Sequence, residues 1–427
     1  MSATTSDRPT AAMPAVIVAL LPLIAVVLVL FLITGLAIPA LPLHVHQELR
    51  LGSFVVGLVS GAQFAASLVS RVWSGRYADQ RGAKRAVVAG LAAAGVAGLL
   101  YILSLAFVDA PVTSVTILLL GRALLGGAES FVITGALAWG LALVDAQNTG
   151  KVIAWLGTAL YAAFAIGAPA GTALYEANGL FAIGLATAIG PLAVLLLIAP
   201  LRPVTPPRRA QPPLFAVAAA VSLPGIGLAF SSLGFAAITT FVTLLFAARA
   251  WTPVWLGITA FATAFMLARV AFGHLPDQIG GAKAALVSVF IEAAGLALIW
   301  LSSSLGLAFA GAVLAGSGYA LVYPGLGIEA VRRVPPQSRG LAMGTYTAFF
   351  DLGIAIASPA LGLVAGAAGL KSVFLAGALI VLCGGAVAMR LLHAEPCGSS
   401  GVDHEGGALP DHQGRRPRLA RPLDFAR

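Results

Sequence analysis

The chain has 427 residues, of which 59% are hydrophobic and 10% charged, against roughly 25% charged in an average soluble protein. No soluble domain has an interior large enough to hide that apolar surface, and two cysteines in this length exclude a disulfide scaffold. The net charge of +9 falls in short segments between apolar runs, where orientation in a membrane accounts for it and no nucleic-acid partner is needed.

A helix needs about 20 apolar residues to cross a bilayer. The sequence offers twelve such runs, at 14–40, 52–74, 84–107, 112–142, 150–174, 179–199, 213–246, 254–274, 283–302, 306–329, 340–366 and 371–392. They do not alternate polar and apolar residues, which excludes a membrane barrel. The expectation is an all-α polytopic membrane protein. Residues 1–13 read as a polar cytoplasmic tail, since the first run is too long for a signal-peptide core. Residues 14–199 and 214–392 read as two six-helix bundles. The proline- and arginine-rich segment 200–213 links them, and 393–427 read as a disordered cytoplasmic tail.

Placing both termini in the cytoplasm puts Arg76, Arg81, Lys84, Arg85, Lys151, Arg202, Arg208, Arg209, Lys283, Arg332, Arg333 and Arg339 in inner loops. Outer loops then hold only Arg50, Arg249 and Lys371, as the positive-inside rule requires. All six tryptophans fall near span ends, where an aromatic belt sits.

The chain repeats itself. Arg71, Gly75, Asp79, Gln80 and Gly82 recur as Arg269, Gly273, Asp277, Gln278 and Gly280, a constant 198 residues later. A second echo relates Pro169 of span five to Pro359 of span eleven, 190 residues later. Two halves of like topology, a parallel repeat, follow.

At these residues the chain resembles the major facilitator superfamily. Gly75, Asp79 and Gly82 match the loop signature between spans two and three, and Lys84 and Arg85 fill its basic positions with one place of slippage. In span four Leu118, Arg122 and Gly126 match the proton-coupled pattern, with Leu125 in place of its glutamine. Gly167, Ala168, Pro169, Ala170 and Gly171 resemble the antiporter signature of span five, with Ala168 replacing a glycine. Taken whole, the sequence looks most like the bacterial drug and arabinose efflux permease branch.

The resemblance implies alternating access and a cavity lined by spans one, four, seven and ten. It implies a gating loop of Gly75, Asp79, Gly82, Lys84 and Arg85, echoed by Gly273, Asp277 and Gly280, with Asp79 docking at the start of span eleven. The partners expected are a small-molecule substrate, protons and membrane lipid, for a monomer in the bacterial inner membrane. Proton-coupled efflux is the leading reading. A proton-coupled importer of a sugar or organic acid is the alternative, and a non-transporting receptor or scaffold on the same frame is a third reading.

An ionisable group at bilayer depth costs about 2.5–3.5 kcal/mol even on lenient scales, so each one calls for a partner or a function. Arg122 and Glu129 lie seven residues apart, on nearly the same face of span four. They are expected to share a cavity and, with Asp351 of span eleven, to serve proton coupling. Arg71 and Arg269 lie close enough to the inner face to snorkel. Glu292 belongs to span nine, which is peripheral in the family. Tyr319 and Tyr323, four residues apart in span ten, are expected to contact substrate. Gly167, Pro169, Gly171 and Pro359 are expected to serve helix packing and bending. His44 and His46 offer too few ligands for a metal site. No cofactor motif, phosphate-binding loop or catalytic set is found, so the chain is not expected to be an enzyme.

Overall fold

The computed structural model describes residues 13–144, 149–204, 214–335 and 338–393, and every regular element among them is helical. Most of the 200–213 linker and nearly all of both expected tails, including Arg208 and Arg209, lie outside the described residues.

In the first half of the chain come α1 (Met13–Leu43), a single π-helical turn (His44–Glu48), α2 (Ser53–Arg81), α3 (Ala83–Leu105), α4 (Pro111–Leu143) and α5 (Thr149–Ile198). The second half holds α6 (Leu214–Ala248), α7 (Leu256–Phe272), α8 (Leu275–Ile279), α9 (Gly281–Leu301), α10 (Leu305–Tyr319), α11 (Val322–Arg332), α12 (Arg339–Ala368) and α13 (Leu370–His393).

Ten segments among the described residues are long and apolar enough to cross a membrane. One of them, Lys151–Ile198, has 48 residues, more than twice the roughly 20 that a crossing needs. It breaks at Gly179, whose φ of 64° and ψ of −161° only glycine adopts readily. Spans five and six are therefore one run folded back at a glycine. α7 is apolar but has 17 residues. Counting both parts of α5, and α7, the candidate crossings among the described residues number twelve.

Two expected spans are interrupted. Span eight ends at Phe272 and is followed by the short α8. Span ten divides into α10 and α11 around Ala320 and Leu321. Pro324 has no N–H to offer the carbonyl of Ala320, which leaves that acceptor without its helical donor. That carbonyl accepts instead from Arg269 Nη1 at 3.1 Å.

Packing relies on small residues, as expected where lipid removes most of the hydrophobic drive between helices. Gly167 and Gly171 of α5 lie against Gly35 and Leu36 of α1. Gly126 of α4 lies against the Gln63 carbonyl of α2. The halves of the chain meet chiefly where α2 crosses α12. Gly57 faces Ser358 and Pro359, Gly61 faces the Ala355 carbonyl, and Gly362 faces Ser53 and Phe54. All these contacts lie toward the end of the bundle that carries His44. Toward the other end, a Cβ on Gly75, Gly340 or Gly344 would meet no atom within 4 Å.

Candidate functional site

α2 presents Gln63, Ser67 and Arg71 at four-residue spacing, and hence along one face. α4 turns Glu129, Ser130 and Thr134 toward them. Glu129 is 7% exposed, and a buried carboxyl must find donors. Its Oε1 accepts from Thr34 Oγ1 of α1 and from Gln63 Nε2, both at 2.6 Å. One turn along, Ser130 Oγ donates to the Ser67 carbonyl at 2.8 Å, and the two serine hydroxyls are 3.1 Å apart.

Ser67 then bridges to the second half of the chain, donating from Oγ to Asp351 Oδ2 of α12 at 3.2 Å. Arg71 donates to the same oxygen from Nε at 2.7 Å and forms an ion pair through Nη2 at 2.5 Å. The side chain of Asp351 is 4% exposed and that of Arg71 23%. A polar seam thus runs from Thr34 through Glu129, Ser130 and Ser67 to Asp351 and Arg71. Ser74 and Thr134 continue the α2–α4 part of it, 3.2 Å apart.

Arg122 is buried on α4, two turns from Glu129. It forms no ion pair with Glu129, whose Oε1 is held by α1 and α2. Its Nε reaches the Val59 carbonyl at 3.4 Å, and its Nη1 is buried without a hydrogen-bond partner. The residue lines a cavity of about 20 Å³ between α1, α2, α4 and α6, with Ser60, Phe64, Thr239 and Thr240 on its wall.

The expected pair of substrate tyrosines is divided by the break in span ten. Tyr319 is buried and stacks on Phe235 of α6, with ring centroids 5.4 Å apart. Tyr323 lies beyond the break, its hydroxyl 2.7 Å from Thr347 Oγ1 and its ring against Tyr346. A row of rings from Phe64 through Phe350 and Phe235 to Tyr319 and Phe261 joins α2, α12, α6, α10 and α7. Phe64 follows Gln63 and Phe350 precedes Asp351, so this row adjoins the polar seam.

In the 2–3 turn, Asp79 is an exposed residue in the last turn of α2, still helical. Gly82 has a φ of 97° and its repeat counterpart Gly280 a φ of 93°. Both copies therefore turn on a left-handed glycine. Lys84 donates from Nζ to the carbonyls of Ala199 and Leu201 at 2.7 and 2.6 Å, capping the end of α5. Arg85 and Asp277 are exposed, with Asp277 in the first turn of α8. Gly273 follows α7 as its cap. Pro169 lies inside α5 and Pro359 inside α12, the latter against Gly57 of α2.

Glu292 is buried on α9, accepts from Ser231 of α6 at Oε2, and has no hydrogen-bond partner at Oε1. Among the described residues no cluster of three or more histidine, cysteine, aspartate or glutamate side chains is placed to hold a metal. Sequence reasoning missed Thr34, Gln63 and Ser67 as members of the seam. It also read Arg71 as snorkelling, whereas its guanidinium is turned to Asp351. The four-residue spacing of Gln63, Ser67 and Arg71 was the available signal.

The sequence profile of the Major Facilitator Superfamily matches residues 23–259 and 225–422. An uncharacterized MFS-type transporter of Salmonella typhimurium is 39% identical over 362 residues, covering 85% of this chain and 93% of that protein. Another, of Burkholderia pseudomallei, is 41% identical over 367 residues, covering 84% and 89%. Among solved structures, the fold is similar to a bacterial homologue of the human lysosomal transporter Spinster, in an inward-facing and unoccupied conformation. The TM-score is 0.72 at 14% identity, over 90% of this chain and 98% of that one. The nucleoside transporter NupG gives 0.68 at 15% identity, over 88% and 100%. The chain therefore belongs to the Major Facilitator Superfamily, as a multi-pass membrane transporter and not an enzyme.

Proposed function

We propose that this transporter exports a small molecule in exchange for protons by alternating access. In this reading it is a monomer of the bacterial inner membrane with both termini in the cytoplasm. The observation that carries the proposal is the seam joining Glu129, in the first half of the chain, to Asp351 in the second, through Ser130 and Ser67. The span-five resemblance to the antiporter signature supports export, and the distribution of Lys and Arg supports the orientation.

Glu129 is the proton site. Ionised, it holds α1 and α2 to α4 through the Thr34 and Gln63 donors. A proton on the carboxyl removes its charge and turns one acceptor into a donor, so these bonds rearrange. Gln63, Ser67 and Arg71 ride on one rigid helix, and the rearrangement reaches Asp351 and α12 through them. Arg122 cannot carry the proton, being charged at all working pH. With the His44 end outermost, Asp79 and the start of α12 belong to the gate on the cytoplasmic side.

The test uses a substrate first selected by thermal shift on purified protein. In proteoliposomes, collapse of the pH gradient abolishes uphill transport. Glu129→Gln retains binding and gradient-independent exchange and loses proton-driven net transport. Uphill transport driven by sodium without a pH gradient would overturn the coupling. Retained coupling in Glu129→Gln with loss in Asp351→Asn would move the proton site to α12.

A further inference from the structure

A guanidinium is always charged, and at bilayer depth its desolvation demands compensation. Arg71 finds it in Asp351, and Arg269 takes a carbonyl of the broken span ten. Arg122 is 4% exposed, with one long bond to the Val59 carbonyl and Nη1 unsatisfied. The Tyr101 hydroxyl, fully buried on α3 and also without a hydrogen-bond partner, lies beside the same guanidinium. The phenol oxygen faces the guanidinium as a neutral acceptor, and among the described residues no anion compensates the charge at this place.

The cavity that Arg122 lines has the chemistry to receive one. Ser60 and Thr240 supply hydroxyls, and Ala37, Ile38, Leu41 and Phe64 supply an apolar wall, while the Thr239 hydroxyl is spent on the Phe235 carbonyl. Among the described residues no other charged side chain borders it. Its walls come from α1 and α2 on one side and from α6 on the other, so it lies between the two halves of the chain. At about 20 Å³ it admits no more than a water, as a binding site does when it is closed. Alternating access, as proposed above, would part α1 and α2 from α6 and widen it.

We infer that Arg122 anchors an anion subsite, which takes the carboxylate of an organic anion while Ser60 and Thr240 donate around it and the apolar wall holds its body. This rests on the transporter reading and names the substrate class of its cavity. A planar guanidinium suits a carboxylate because two parallel N–H bonds meet its two oxygens. A neutral amide presents only one oxygen and a pair of opposing donors, and an amine is repelled.

The full chain in lipid nanodiscs is titrated at constant ionic strength with monocarboxylates from acetate to phenylacetate. Benzamide and phenethylamine serve as neutral and cationic comparisons, sodium chloride as the inorganic anion, and binding is read by thermal shift. The expected result is stabilisation by the larger carboxylates and none by the amide or the amine. Arg122→Gln weakens carboxylate binding about 10- to 100-fold, as loss of a charge-assisted bond implies. Arg122→Lys, which keeps the charge and loses the fork, falls between. Thr240→Val weakens it without changing charge or shape, and together with Arg122→Lys it decides the matter if Arg122→Gln does not fold.

Equal binding of benzamide overturns the proposal, as does unchanged affinity in Arg122→Gln. Saturation by chloride alone, or an absence of binding by every carboxylate, overturns it too. No gradient is imposed, so the result is independent of where the coupling proton sits. Carboxylate recognition with no proton coupling would refute the Glu129 assignment and leave this site standing.

Discussion

Arg269 and Arg71 stand 198 residues apart at equivalent places in the repeat, yet they face opposite duties. Arg71 crosses to the other half of the chain to meet Asp351. Arg269 stays within its own half and caps the Ala320 carbonyl that Pro324 leaves without a donor. One copy of the motif joins the halves and the other repairs a helix break.

The Arg269 arrangement makes a coupled prediction. Arg269→Ala alone should lower stability by about 1–3 kcal/mol, the cost of stranding a buried acceptor. In a Pro324→Ala background the helix supplies the missing donor, and the same substitution should cost measurably less. A double-mutant cycle from melting curves in detergent checks this, and additive losses would refute the account.

The Arg71–Asp351 pair should behave as one unit. Asp351→Ala leaves a charge without its partner at the joint and should destabilise by about 3 kcal/mol. The double variant Arg71→Ala/Asp351→Ala should lose less than the sum of its parts. Coupling below about 0.5 kcal/mol in the same melting assay would show that the pair contributes nothing to the joint.

Gly57 and Gly126 separate a joint between the halves from packing within one half. A Cβ on Gly57 meets Ser358 and Pro359 across the α2–α12 joint, and one on Gly126 meets the Gln63 carbonyl inside the first half. Gly57→Ala should open the His44 end, lengthening the distance between spin labels at positions 52 and 366. The background lacks Cys383 and Cys397. Gly126→Ala should leave that distance unchanged and lower stability by about 1–3 kcal/mol, as overpacking does.

Asp79→Asn should insert normally and remove most transport, because the turn keeps its size and loses its charge. Asp277→Asn should be milder. Its copy of the motif sits on the short α8 and lacks a second basic residue after Lys283. Wild-type flux in both variants would remove the turn from the gate.

The crossings were legible from apolar run lengths, and the repeat was legible from Arg71, Gly82 and their echoes. Gly82 and Gly280 share a left-handed turn because the spacing around them is shared. The seam was not legible, because Ser67 and Asp351 are 284 residues apart and nothing local brings them together. Tyr319 and Tyr323 fall on either side of an interruption at Ala320 and Leu321, and a local signal for it was present in the sequence. Pro324 removes the donor that the Ala320 carbonyl would have in a regular helix. Arg122 and Glu129 do share a helix face, but α1 and α2 supply nearer donors to Glu129 than Arg122 does.

The row of rings from Phe64 to Phe261 has an electrical consequence. A bacterial membrane sustains a voltage, and each elementary charge leaking across it dissipates about 2.3 kcal/mol per 100 mV. Carboxyls and guanidiniums in the membrane invite a thread of water along which ions would follow. Phe64 and Phe350 sit directly beside Gln63 and Asp351 in the chain, and their rings are in contact, so an apolar aromatic row accompanies the charged seam. Replacing Phe350 with a small residue should therefore raise passive proton conductance even with no cargo present.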